Sequence, residues 1–192
     1  MLEPQTNICL IGGTFDPIHL GHTYIARQAQ QRFDLNKVIF LPCRQSPHKL
    51  NTNSIADHHR LKMCRLATDA LPWAEVSDYD LISPPPSYSW RTAEYFNQLY
   101  PHARLYWLMG SDQWNALDRW SRADYFSSLV NIIVFHRNYP PRDQAAFKCL
   151  KISGNHPASA TAIRNQLIAN QPSPWLSPKV AGYIKENFLY SK

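Results

Sequence analysis

Asn7-Ile8-Cys9-Leu10-Ile11-Gly12-Gly13-Thr14-Phe15-Asp16-Pro17-Ile18-His19-Leu20-Gly21-His22 decides how the rest of the chain is read. An apolar run stops at two glycines, a small polar turn follows, and two histidines stand three residues apart where a helical pattern begins. Strand, glycine turn and helix start, in that order, make an anion cradle. The glycines let backbone N–H groups come close to a ligand, and a helix N-terminus adds unpaired donors and a positive dipole end. Residues 8–11 therefore read as a buried strand and 21–33 as a helix, with Tyr24, Ile25, Ala29 and Phe33 on its inner face. Residues 37–41 form a second strand, closed by Pro42. Strand, helix and strand in this order imply parallel strands joined by a right-handed crossover.

The alternation continues outward from this unit. A polar loop over 43–53 holds Ser46-Pro47-His48-Lys49. A helix over 57–71, with Leu61, Cys64, Leu66 and Ala67 facing inward, leads to a short strand over 74–77. Pro84-Pro85-Pro86 forces a stiff extended segment, and Ser87-Tyr88-Ser89 leads into a helix ending at Leu99. Strands are expected over 103–109, 129–135 and 148–153, an irregular connection over 137–146, and closing helices over 159–169 and 177–188. No internal repeat or linker interrupts the chain. The pattern predicts one α/β domain over 1–192, a doubly wound parallel sheet with helices on both faces. In such sheets ligands bind beyond the carboxyl ends of the strands, where the strand order reverses.

Composition narrows the class of function. At 192 residues and 22.2 kDa the chain can bury a full core without staples. No run is long and apolar enough to span a bilayer, and Met1-Leu2-Glu3-Pro4-Gln5 has no basic start or apolar middle of a leader. The four cysteines (Cys9, Cys43, Cys64, Cys149) form no CxxC pair, which favours reduced, buried thiols in a cytoplasmic protein. A formal charge of +6 suits phosphate-bearing partners. The positive residues are spread singly, without the aromatic interleaving of a nucleic-acid surface, so neither nucleic acid nor membrane is expected as a partner.

His19 and His22 admit three readings. They could share a metal ion, although neither HExxH nor a nearby Cys/Asp set completes such a site, so no resident metal is expected. They could be capping or core histidines. Or both imidazoles could donate to phosphate oxygens above the turn, and this reading is preferred. Asp112, after the 103–109 strand and Gly110, is placed to accept from a ribose hydroxyl. Trp120 could stack on a ring or pack in the core, and Trp114 reads as core or rim. Ser159, Thr161 and Arg164 open a helix in a manner suited to phosphates.

The stretch Gly12 to His22 resembles the signature of nucleotidyltransferases with a (T/H)xGH motif, here His19-Leu20-Gly21-His22. Within that superfamily the chain is most similar to the bacterial nicotinate-nucleotide adenylyltransferases, and the likeness runs nearly its whole length. It includes Ser46-Pro47-His48-Lys49, Ser87-Tyr88-Ser89, Gly110-Ser111-Asp112 with Trp120 eight residues on, Ser159 to Arg164, and Val180-Ala181-Gly182-Tyr183-Ile184. The family usually reads ISSTxIR where this chain has Ala158 and Ala160 in place of Ile and Ser, so one hydroxyl is missing.

The resemblance implies a Rossmann-like nucleotidyltransferase fold. It also implies transfer of AMP from ATP, with Mg²⁺ accompanying it, to nicotinate mononucleotide, or alternatively to nicotinamide mononucleotide or another phosphate ester. His19, His22 and Lys49 would be the catalytic residues. Gly12, Gly13, Thr14, Phe15, His48, Ser159, Thr161 and Arg164 would hold the phosphates, and Tyr88, Ser89, Asp112 and Trp120 the mononucleotide, with the Tyr88 and Ser89 amides on its carboxylate. Arg91 would help attract that carboxylate or face water. The chain would act as a monomer or homo-oligomer.

Overall fold

A computed structural model describes residues 5–45 and 54–191. Its centre is a six-stranded, all-parallel sheet in the order β3-β2-β1-β4-β5-β6. The strands are β1 (Asn7–Gly13), β2 (Lys37–Pro42), β3 (Ala74–Val76), β4 (Arg104–Gly110), β5 (Asn131–His136) and β6 (Cys149–Ser153). The helices are α1 (Leu20–Arg32), α2 (Asp57–Thr68), α3 (Tyr79–Ile82), α4 (Ser89–Leu99), α5 (Ser111–Trp114), α6 (Ala123–Leu129), α7 (Ala160–Ile168) and α8 (Pro178–Glu186), with a 3₁₀ turn at Leu117–Arg119. The chain leaves β1 in one direction toward β2 and β3 and returns past β1 to β4, β5 and β6. The order therefore reverses between β1 and β4.

Strand residues alternate between two cores, as a sheet covered on both sides requires. Cys9 and Ile11 of β1, with Val38 and Phe40 of β2, pack under Ala26 and Ala29 of α1, Met63 and Cys64 of α2, Ile163 of α7, and Val180 and Ile184 of α8. Ile8 and Leu10, with Trp107 and Met109 of β4, pack under Ala93 and Phe96 of α4 and Phe126 of α6. Each large side chain so buried contributes about 1.5–3 kcal/mol of transfer free energy. That is enough to make this two-sided layer the frame on which the loops at the carboxyl edge are carried.

Sequence reading and structure differ in a few places, each with a local cause. α2 stops at Thr68, short of the expected Leu71. The Thr68 hydroxyl donates back to the Cys64 carbonyl at 2.9 Å, and Leu71 precedes Pro72, a position that disfavours helix. Its inner face carries Arg60, Met63, Cys64 and Thr68, so Leu61, Leu66 and Ala67 are only half-buried. The short helices α3, α5 and α6 were not anticipated, being too brief to show a period. β5 begins at Asn131 because Leu129 belongs to the end of α6. All four thiols are free, and Cys149 is half-buried, not buried. Among the described residues no helix is long and apolar enough to cross a membrane.

Candidate active site

β1 ends at the carboxyl edge of the sheet, between β2 and β4, and the glycine turn lies at the point of reversal. The glycines are there for closeness. A Cβ on Gly12 would stand 3.2 Å from Cζ2 of Trp107, and one on Gly13 would stand 3.1 Å from the Phe15 ring. Phe15 itself adopts a left-handed backbone (φ 48°), at a cost of order 1 kcal/mol for a residue with a side chain.

The turn is braced from behind on both sides of that residue. Arg60, fully buried, donates through one guanidinium nitrogen to the Thr14 carbonyl at 2.6 Å. Its other nitrogens reach the Ile55 carbonyl at 3.2 Å and the Asp57 carboxylate at 2.5 Å. Arg164 donates to the Asp16 carbonyl at 2.6 Å. Tyr190, on the C-terminal tail, donates its hydroxyl to the Asp16 carboxylate, also at 2.6 Å. Burial and that carboxylate push the Tyr190 hydroxyl pKa up, so it stays a donor. Asp16 thus anchors the tail.

The two histidines stack, with ring centroids 3.7 Å apart and planes 22° from parallel. His19 is the N-cap of α1, and its N–H donates to Nδ1 of His22 at 3.2 Å. That bond places the neutral His22 proton on Nε2, pointing a donor away from the helix. The capping and ligand-facing readings are therefore compatible, one for each nitrogen. His19 is 8% exposed, and its Nδ1 has no hydrogen-bond partner. Gly21 makes room for its ring, since a Cβ there would lie 2.9 Å from that nitrogen. Burial, then His156 and Arg137, lower the His19 pKa to about 4. Burial, then His19 and His156, hold His22 well below its usual value. Both rings are neutral donors at neutral pH until an anion joins them.

A cavity of about 570 Å³ opens over the turn. Gly12, Gly13, Thr14, Phe15 and His22 line it, together with Thr161 and Arg164 of α7 and with Tyr88, Ser89 and Trp120. The Arg164 guanidinium also reaches the Thr161 hydroxyl at 3.4 Å. His19 and Ser159 line an adjoining smaller cavity, which shares the His22 wall. The Ser159 hydroxyl makes no cap bond at the start of α7, so capping alone does not account for it. Trp114 is core, with Nε1 donating to the Arg142 carbonyl at 2.6 Å.

Three of the expected mononucleotide residues stand as follows. The exposed carboxylate of Asp112 is not in the cavity wall but folds over Gly110, 2.6 Å from where a Cβ would stand. The Tyr88 N–H already donates to the Pro86 carbonyl at 3.0 Å, leaving Ser89 as the amide of the expected pair that starts α4. Arg91 donates to the Pro84 carbonyl at 2.6 Å and is not part of the cavity wall. His48 and Lys49 lie outside the described residues.

Sequence reasoning missed two residues. Arg60 sits one turn into an ordinary amphipathic helix, and its only signal was a charge at an inward position. Asp80 lines the cavity, 4% exposed, and accepts from the Thr92 hydroxyl at 2.6 Å. Burial raises its pKa to about 6. A lone acid in a four-residue helix gives no pattern to detect. Among the described residues no group of three or more His, Cys, Asp or Glu side chains could hold a metal ion.

The cytidylyltransferase-like family model matches residues 10–166, which span the turn, the histidine pair and α7 up to Gln166. A "Probable nicotinate-nucleotide adenylyltransferase" of Methylacidiphilum infernorum is 39% identical over 195 residues, covering 99% of this chain and 96% of the relative. A protein of that name from Staphylococcus epidermidis is 33% identical over 188 residues, covering 95% and 96%. The Plasmodium falciparum nicotinic acid mononucleotide adenylyltransferase complexed with NaAD superposes with a TM-score of 0.81 at 18% identity, covering 97% of this chain and 98% of that one. That structural likeness speaks for the fold, while the sequence likeness over the full length speaks for descent. The chain belongs to the cytidylyltransferase-like family and, within it, to the nicotinate-nucleotide adenylyltransferases.

Proposed function

We infer that the chain transfers the AMP moiety of ATP to nicotinate mononucleotide, forming deamido-NAD and pyrophosphate in NAD biosynthesis, and that residues 1–192 work as one cytoplasmic domain, alone or as a homo-oligomer. One observation carries this reading. The glycine turn, His22, Tyr88, Ser89 and Trp120 all line one cavity. A triphosphate suits the glycine turn and the histidine, and a planar ring with an anionic substituent suits the aromatic side chains and the start of α4. Full-length similarity to adenylyltransferases of that name supports it.

In the reaction a phosphate oxygen of the mononucleotide attacks the α-phosphorus of ATP. A new P–O bond forms, the bond to the bridging oxygen of the β-phosphate breaks, and its electron pair leaves on pyrophosphate. No protein nucleophile is required. The chain's work is to position both substrates and to donate to oxygens whose charge grows. His19, Nε2–H of His22, the Thr14 hydroxyl and the turn amides serve the reacting phosphate, and Arg164 serves the outer phosphates. Ser159 and Thr161 serve the outer phosphates, and Lys49 and His48 the same triphosphate. Trp120 stacks on the pyridine ring and the Ser89 amide meets its carboxylate. Ribose recognition by Asp112 requires its carboxylate to swing off Gly110. Magnesium enters as part of the Mg–ATP substrate.

Asp80 favours a second reading, with nicotinamide mononucleotide as acceptor, because a buried carboxyl group in the wall suits an amide better than a carboxylate. Comparing kcat/KM for the two mononucleotides with ATP decides between them. The acid form should be preferred, and a preference for the amide overturns the assignment. His22→Ala should lower kcat on the order of 10²–10³-fold while ATP affinity changes little. Retained turnover would remove His22 from the reaction.

A further inference from the structure

His156 lies between β6 and α7, half-buried between Tyr24 (ring centroids 5.3 Å apart, tilted) and Trp175 (5.3 Å, edge-to-face). Its Nδ1 accepts the Ala158 N–H at 3.2 Å, so the neutral ring carries its proton on Nε2. It helps to line the smaller cavity, of about 290 Å³, which opens beside the first and shares His22, Ile25, Phe135 and Ala160 with it. His19, Arg137 and Ser159 also line this chamber, and no carboxylate does.

Three imidazoles and a guanidinium around so small a volume would repel one another if charged, and no carboxylate among the described residues lines the chamber to offset them. Burial first, then His156 and Arg137, lowers His19, and burial first, then His19 and His156, lowers His22. Burial and Arg137 likewise lower His156. One atom points to a ligand independently of charge: Nδ1 of His19 is buried without a partner.

We propose that His156 is a further phosphate-binding residue, which with Arg137 forms the seat of the departing diphosphate. The proposal rests on the adenylyl-transfer reading above, because that reaction delivers a diphosphate to this side of the turn. As the α-phosphorus bond to the bridging oxygen breaks, negative charge moves onto the diphosphate. Nε2–H of His156 and the Arg137 guanidinium donate to it there. The titratable groups that line the chamber with His156 are His19, His22 and Arg137, so the incoming anion supplies the negative charge that the chamber lacks.

The test compares wild type with His156→Phe, which keeps a ring between Tyr24 and Trp175, and with His156→Gln, which keeps a polar donor. Forward turnover, the KM for the mononucleotide, and the inhibition constant of inorganic pyrophosphate are measured, with pyrophosphate binding read directly by calorimetry. His156→Phe should weaken pyrophosphate about tenfold, by loss of one hydrogen bond to a charged group, and leave the mononucleotide KM unchanged. His156→Gln should recover part of that loss, and it serves alone if the Phe variant does not fold. Unaltered pyrophosphate binding, or equal weakening of pyrophosphate and mononucleotide, overturns the proposal. If wild type transfers no AMP, the reading of function fails by itself, and calorimetry with pyrophosphate still decides whether the chamber is its seat.

Discussion

Gly21→Ala adds one methyl group and should cost most of the activity while leaving the fold in place. The new Cβ would stand 2.9 Å from Nδ1 and 3.0 Å from Cε1 of His19, and 3.2 Å from Cβ of Ala158. Comfortable carbon contacts begin near ~3.5 Å, so the ring must move by about 0.5 Å or more. It cannot move without disturbing His22, whose ring lies 3.7 Å away and whose Nδ1 holds the His19 N–H. A displacement approaching ~1 Å at such a site costs on the order of 10²-fold in rate. That corresponds to ~2.7 kcal/mol of transition-state stabilisation. Folding should change less. Overpacking costs about 1–3 kcal/mol, against a gain of up to about 1 kcal/mol for alanine over glycine in a helix. The net loss is a fraction of the roughly 5–15 kcal/mol that holds a domain together. Steady-state pyrophosphate release with ATP and nicotinate mononucleotide, beside a thermal melt, reads both quantities. A folded variant whose kcat stays within about threefold of wild type would show that His19 geometry does not limit the reaction.

Other perturbations separate the remaining parts. Arg60→Met leaves the Thr14 and Ile55 carbonyls without their donor, and should lower stability by about 3–5 kcal/mol in urea unfolding; a loss under about 1 kcal/mol would mean the brace is dispensable. Trp120→Ala should raise the KM for the mononucleotide about tenfold and leave that for ATP alone, whereas equal effects on both would contradict ring stacking. Asp80→Asn concerns pH. The folded-state pKa of Asp80 is raised to about 6 from 3.8, so the unfolded chain ionises first and stability falls as pH rises through that window. The Asn variant should match wild type below pH ~4 and gain on it up to pH ~6, by at most about 3 kcal/mol. A difference that does not change with pH would refute the buried-acid account.

The sheet and the phosphate end of the site were legible because both rest on local patterns. Apolar runs bounded by glycine or proline mark β1 and β2, and the glycine turn with His19 and His22 is contiguous in sequence. What escaped depends on distant contacts. Nothing near Arg60 in the sequence says that its guanidinium ends on the Thr14 carbonyl, and nothing near Asp80 says that Thr92 and a cavity wall will enclose it. Asp112 and Tyr88 fall in the right loops, yet the direction of a carboxylate and the partner of one amide are set by neighbours a few residues away. Tyr190 illustrates the extreme case, with a partner 174 positions earlier.

That last contact bears on how the protein is made. Asp16 leaves the ribosome with the β1–turn–α1 unit, while Tyr190 is added after all six strands. The sheet can form around β1 before Tyr190 is made, but the turn then lacks one of its braces until the segment carrying that tyrosine docks. Synthesis thus separates a chain that has its architecture from one that is ready to work. A Tyr190→Phe variant, which loses only the bond to Asp16, would resemble the wild type in secondary structure and differ from it in turnover, so far-ultraviolet circular dichroism would pass a preparation that an activity assay rejects.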